Sequence, residues 1–97
     1  MEQKVVRWKL IFAGKVQFVG FRYAAMQTAR ELKLTGWVRN RSDGRVELEA
    51  QGPAPALRQL ILKLKARPFI RITALEQQNL PPLPGEKKFR VLADGDG

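Results

Sequence analysis

A β-hairpin centred on Asp43-Gly44 is the sequence feature that most constrains the fold of this chain. Residues 37–41 form a short run before the turn, and residues 45–51 alternate after it, with apolar side chains at 46, 48 and 50 and glutamates at 47 and 49. Such alternation places apolar side chains on one face of a strand, and Asp-Gly suits a tight turn. We therefore expect two antiparallel strands that bury one face.

Apolar patterns on both sides of the hairpin predict the other elements. Strands are predicted over 5–12, 69–80 and 89–92, and helices over 21–33 and from Pro55 to about residue 64. The resulting β-α-β-β-α-β order, with a short added strand, predicts an α+β, ferredoxin-like split βαβ fold: an antiparallel sheet with two helices on one face. Its 97 residues predict one domain over 1–97, with a core over about 5–92 and a frayed tail over 93–97.

The residue types that are missing limit the chemistry. The chain has no Cys and no His, which excludes disulfides, thiol chemistry and imidazole catalysis. Its nine acidic residues are scattered and form no evident metal-binding cluster in the sequence. We therefore expect no metal and no cofactor, and a chemistry that depends on positioning and electrostatics.

Charge and hydropathy indicate the compartment and the kinds of partner. A net charge of +9 predicts attraction to phosphates, nucleic acid or acidic membrane surfaces, although the charge could equally serve solubility alone. No signal peptide is evident, and no apolar run reaches the roughly 18 residues of a membrane span. We expect a soluble, cytoplasmic monomer that makes no membrane contact.

The segment Gly14–Arg22, with the sequence Gly-Lys-Val-Gln-Phe-Val-Gly-Phe-Arg, is the first candidate site. It connects the first predicted strand to the first helix, where unpaired backbone N–H groups and the positive end of the helix dipole favour an anion. Arg22 adds a planar cation in the first helical turn. The segment is thus either a phosphate or carboxylate cradle, or an ordinary turn with a solvated arginine.

A second segment, Gly36-Trp37-Val38-Arg39-Asn40, precedes the Asp-Gly turn. Together the two segments resemble the acylphosphatase family, whose signature is close to Gly-x-Val-Gln-Gly-Val-x-Phe-Arg followed later by Gly-Trp-Val-x-Asn. The resemblance runs from about Val5 to Gly52 with matching spacing and continues more weakly to the end. It implies hydrolysis of the carboxyl–phosphate bond of acyl phosphates, with no metal or cofactor.

The resemblance also implies which residues act. In the family, backbone N–H groups of the loop and the arginine hold the phosphoryl group, and the asparagine orients the attacking water. These roles fall here on Arg22, on Asn40 and on the backbone of the cradle residues Lys15, Val16, Gln17, Phe18, Val19, Gly20 and Phe21. The expected ligand is a small acyl phosphate or inorganic phosphate.

Phe18 departs from the family pattern, which has glycine after Val-Gln. Glycine tolerates a positive φ and close approach to a ligand, whereas phenylalanine there would be strained or would change the path of the loop. Either Phe18 projects outward beside an intact cradle, or the loop is remodelled and the chain is a weak or silent phosphate-binding module. We expect activity to be retained, because Arg22 and Asn40 both remain.

A nucleic-acid-binding domain is the alternative from another functional class. RNA-recognition domains share the predicted element order, and the positive charge suits that role. Such domains need exposed aromatic side chains on their central strands. Residues 46–50 offer none and carry two glutamates, which argues against nucleic acid as the partner.

Overall fold

The computed structural model describes residues 4–94. In chain order the elements are β1 (Val5–Lys15), α1 (Phe21–Glu31), β2 (Thr35–Asn40), β3 (Val46–Pro53), α2 (Ala54–Lys65), β4 (Arg71–Leu80) and β5 (Phe89–Val91). All the predicted elements are present, and their ends differ from the predictions by a few residues. The largest difference is in β1, which continues through Gly14 to Lys15 because it pairs with β4 beyond a bulge at Ala13 and Gly14.

One five-stranded sheet has the strand order β4-β1-β3-β2-β5. The first four of these strands are antiparallel to their neighbours, as the predicted ferredoxin-like fold requires. The added strand β5 instead runs parallel to β2 at the edge of the sheet, so the whole sheet is mixed. This order brings the end of β1 and the end of β2 to the same end of the sheet, next to the start of α1.

The core lies between one face of the sheet and the two helices. Alternate residues of β1 and β3 and one stripe of each helix are fully buried there, among them Leu10, Phe12, Phe21, Val46, Leu48, Leu57, Leu60 and Leu64. The rings of Phe12 and Phe21 pack 4.9 Å apart between centroids, at the start of α1. The first turn of α1 is thus fixed on β1 by aromatic packing.

Ion pairs cover the other face of the sheet. Glu47 on β3 accepts salt bridges from Lys9 at 3.3 Å, Arg39 at 2.9 Å and Arg41 at 3.5 Å. Burial alone would raise the pKa of Glu47, but hydrogen bonds from Arg39 and Lys9 outweigh it and lower that pKa. Glu47 is therefore a charged structural centre beneath the β2–β3 turn.

Candidate active site

The loop between β1 and α1 carries a set of unpaired backbone donors. Gly20 precedes α1 with φ of 78°, and the helix has neither a side-chain cap nor an acidic residue in its first turn. Within residues 4–94, no hydrogen bond uses the backbone N–H groups of residues 17–23 as donors, the first such bond being from Ala24 to the Gly20 carbonyl. Unpaired N–H groups at the positive end of a helix favour a bound anion.

Arg22 lies in the first turn of α1, beside these donors. Its side chain is half-buried, and its Nη1 donates to Oδ1 of Asp94 at 2.9 Å. A carboxylate oxygen is an anionic acceptor like a phosphate oxygen, so the guanidinium already binds an anion in this conformation. An incoming phosphoryl group would compete with Asp94 for Arg22.

Asn40 is the last residue of β2, and its side chain lies on the helix-facing side of the sheet, 5% exposed. No hydrogen bond within the described chain uses its side-chain amide. The amide group offers both a donor and an acceptor. Asn40 can therefore hold a water molecule or a phosphate oxygen at this position.

Gln17 joins the loop to the turn after Asn40. Its Nε2 donates to the carbonyl oxygen of Arg41 at 2.8 Å and to that of Arg45 at 2.9 Å. Arg41 and Arg45 are themselves paired across the turn, through a backbone hydrogen bond of 2.9 Å. Gln17 thus holds the donor loop in a defined position relative to Asn40.

A surface cavity of about 340 Å³ brings these groups together. It is lined by Val16, Phe18, Gly20, Phe21, Arg22, Tyr23, Asn40 and Val91. Six of the nine predicted site residues, including Arg22 and Asn40, therefore line one cavity; Lys15, Gln17 and Val19 do not line it. Lys15 instead ends β1 opposite Arg71, and Gln17 acts through the turn.

Phe18 follows the loop path that a glycine would favour. Its φ is 62°, in the left-handed region, and its side chain is 98% exposed. The phenylalanine has thus not forced the backbone into an ordinary conformation. Of the two outcomes expected at this position, the geometry matches the outward-projecting side chain.

Three contributions to the site were not foreseen from the sequence. They are the Gln17 side chain, which binds the turn, the Tyr23 ring, which lines the cavity, and the Asp94 carboxylate, which binds Arg22. The family motif assigns a role only to the backbone of Gln17 and, within α1, only to Arg22 and the backbone of Phe21. Tyr23 lies off the apolar stripe of α1, next to Arg22, and that placement was an available signal. Asp94 had none, because it lies in the segment expected to fray; residues 95–97 of that segment fall outside the described residues.

Other candidate chemistry is limited in the part of the chain that the structure describes. Within residues 4–94, no group of three or more acidic, Cys or His side chains is arranged to hold a metal ion. No helix in the same range has the length and apolar character needed to cross a membrane.

Comparison with known proteins identifies the relatives of this chain. The model of the acylphosphatase family matches residues 8–91. An acylphosphatase from Bacillus licheniformis is 40% identical over 88 residues, which are 90% of this chain and 98% of that protein. An acylphosphatase from Bacillus subtilis is 38% identical over 89 residues, covering 91% of this chain and 98% of the relative.

Solved structures agree with the sequence comparisons. The crystal structure of the acylphosphatase from Bacillus subtilis superposes with a TM-score of 0.83 at 39% identity, over 90% of this chain and 98% of that one. An acylphosphatase from Coxiella burnetii gives a TM-score of 0.81 at 32% identity, over 91% and 93% of the two chains.

Proposed function

This chain belongs to the acylphosphatase family of hydrolases, and we propose that the loop of residues 15–21, Arg22 and Asn40 form its active site. Acylphosphatases cleave the carboxyl–phosphate bond of small acyl phosphates. The observation that carries the assignment is the shared cavity: Arg22 and Asn40 both line it, at the start of α1, where no side chain of residues 4–94 caps the helix.

The phosphoryl group lies against the N–H groups of residues 17–23, with Arg22 on its equatorial oxygens. Charge that spreads over these oxygens in the transition state is stabilised by donors already in position. For Arg22 to act, its contact with Asp94 is exchanged for one with the phosphoryl group.

Asn40 orients the water that attacks phosphorus. The new bond joins the water oxygen to phosphorus, while the bond between phosphorus and the bridging oxygen breaks and releases a carboxylate. A carboxylate is a weak base, so the leaving group needs no strong general acid, and a phosphate oxygen accepts the proton of the water. Such a mechanism suits a chain that contains no Cys and no His.

Metal independence, a monomeric state and a cytoplasmic location complete the proposal. The mechanism assigns to Arg22 the charge neutralisation that a metal ion supplies in other phosphoryl transfers. Gel filtration would test the monomer, and fractionation of cells would test the location.

The test is hydrolysis of benzoyl phosphate with EDTA present. Arg22→Ala and Asn40→Ala should each lower kcat by about 10²–10³-fold, because each removes a preorganised group from the transition state. Arg58→Ala is the matched control: Arg58 is an exposed arginine on α2, away from the cavity, and its loss should leave kcat unchanged. Turnover that survives both site substitutions would refute the assignment.

A silent phosphate-binding module is the alternative, and Phe18 motivates it. That alternative predicts binding of inorganic phosphate without hydrolysis, and Phe18→Gly would then restore turnover. The left-handed φ of Phe18 supports the active form instead, because the cradle keeps its path. Nucleic-acid binding has weaker support, since Glu47 and Glu49 on the helix-free face are engaged in ion pairs. RNA binding that is salt-sensitive and survives Asn40→Ala would favour it.

A further inference from the structure

Phe18 contributes nothing to the packing of the fold. Its side chain is 98% exposed and lies outside the hydrophobic core. Its backbone nevertheless occupies the left-handed region, with φ of 62°, where a side chain costs energy that glycine avoids. The ring of Phe18 is therefore free to contact a molecule that enters the neighbouring cavity.

The side chains that line the active-site cavity differ in their exposure to solvent. Val16, Phe21 and Asn40 are buried at its base, whereas Phe18, Tyr23 and Val91 are exposed. Tyr23 is 61% exposed and follows Arg22 directly in the first turn of α1, while its hydroxyl oxygen accepts a hydrogen bond from Gln27 Nε2 at 3.2 Å. The mouth of the cavity is therefore aromatic and apolar.

We propose that Phe18 and Tyr23 contact the acyl group of the substrate, so that this chain favours acyl phosphates with aromatic or large apolar acyl groups. The inference rests on the proposed function of the same cavity. With the phosphoryl group against the loop, the acyl group is joined to it through the bridging oxygen and has to extend outward. Phe18 belongs to the loop that holds the phosphate, and Tyr23 adjoins the arginine, so both rings are within the part of the cavity into which the acyl group extends.

The size of the effect follows from the area of the rings. An apolar contact that removes part of two aromatic faces from water is worth about tenfold in binding. An acetyl group is too small to cover either ring and gains little. Because the same contact persists while the carboxylate leaves, the preference is expected mainly in KM, with a smaller change in kcat.

The first experiment compares kcat/KM for benzoyl phosphate with kcat/KM for acetyl phosphate. Taking the ratio on each variant cancels any change in the folded fraction and in the phosphate cradle. Phe18→Ala should lower the ratio about fivefold and Tyr23→Ala about twofold, while Phe18→Tyr, which restores a ring, should keep the wild-type ratio. Phe69→Ala is the control, since Phe69 is a comparably exposed ring, at 74%, that does not line the cavity. A ratio that Phe18→Ala leaves within twofold of wild type would overturn the proposal.

The second experiment separates this inference from the proposed hydrolysis. Phenacylphosphonate and acetonylphosphonate carry a methylene in place of the bridging oxygen, so they bind without reacting. Calorimetry should show about tenfold tighter binding of the phenacyl compound than of the acetonyl compound to the wild type, and a difference of only about twofold for Phe18→Ala, in which Tyr23 remains. Tighter binding of the phenacyl compound without any turnover of acyl phosphates would support the contact between the two rings and the acyl group, and it would refute the proposed hydrolysis. Turnover with equal affinities for the two phosphonates would refute the acyl-group contact alone, and the absence of both turnover and phosphonate binding would refute both proposals.

Discussion

Replacing Phe18 with glycine should stabilise the protein. The residue occupies φ of 62°, where the β-carbon of an L-residue crowds the backbone, and its ring is 98% exposed. The substitution therefore relieves strain and removes almost no packing. A stability gain at an active-site loop is the pattern expected when a residue is kept for function at a cost to the fold.

The magnitude is the difference between two opposing effects. The left-handed conformation costs a non-glycine residue about 1–2 kcal/mol. Glycine in turn adds flexibility to the unfolded chain, which costs about 0.5–1 kcal/mol relative to alanine. The net gain is about 0.5–1 kcal/mol, which corresponds to a rise in Tm of about 3–6 °C for a domain of this size.

Calorimetric unfolding at pH 7 measures this gain, and two further variants control it. Phe18→Ala keeps the β-carbon and should leave Tm nearly unchanged. Lys33, the other non-glycine residue with positive φ in the described chain, has φ of 58° just after α1. Lys33→Gly should raise Tm by a similar amount without affecting hydrolysis. A fall in Tm on Phe18→Gly would refute the reasoning, because it would mean that the ring makes stabilising contacts.

Three other substitutions test two contacts at the site and one at the opposite end of the sheet. Asp94→Asn should tighten competitive inhibition by inorganic phosphate by up to about fivefold, because Arg22 loses an exposed competing anion; weaker inhibition would instead mean that Asp94 positions Arg22. Gln17→Ala should destabilise the protein by about 1–2 kcal/mol in urea unfolding and lower kcat about tenfold, since the carbonyls of Arg41 and Arg45 each lose one of two donors and the loop loses its link to the turn. An unchanged kcat would show that the loop keeps its position without this contact. Burial tends to raise the pKa of Glu86, but hydrogen bonds from the buried Arg7 and Thr35 lower it below its ordinary 4.5. A lowered carboxyl pKa stabilises the fold at neutral pH, and this stabilisation is lost as the pH falls below about 4.5 and through the folded pKa. Glu86→Gln should therefore cost about 2 kcal/mol at pH 7, with the difference from wild type narrowing in acid; a constant difference would contradict this linkage.

Much of the fold could be predicted because its signals are local. The alternation around Asp43-Gly44 and the apolar stripes of residues 21–33 and 55–64 specify elements through the geometry of strands and helices alone. The direction of β5 was not available in this way. It runs parallel to β2 because the connection from β4 returns the chain along that edge, and a three-residue strand carries no directional pattern.

In the candidate site, too, local sequence signals predicted some features, while others depend on the tertiary structure. Arg22, Asn40 and the donor loop were predicted from residue types at a recognisable spacing, and the departure at Phe18 was visible in the sequence. The Gln17 contact across to the turn and the Asp94 carboxylate on Arg22 join residues 24 to 72 positions apart. Such contacts depend on how the strands are ordered in the sheet. The sequence alone therefore determined which groups could bind a phosphate, while the tertiary structure decided which distant side chains position those groups or compete for them.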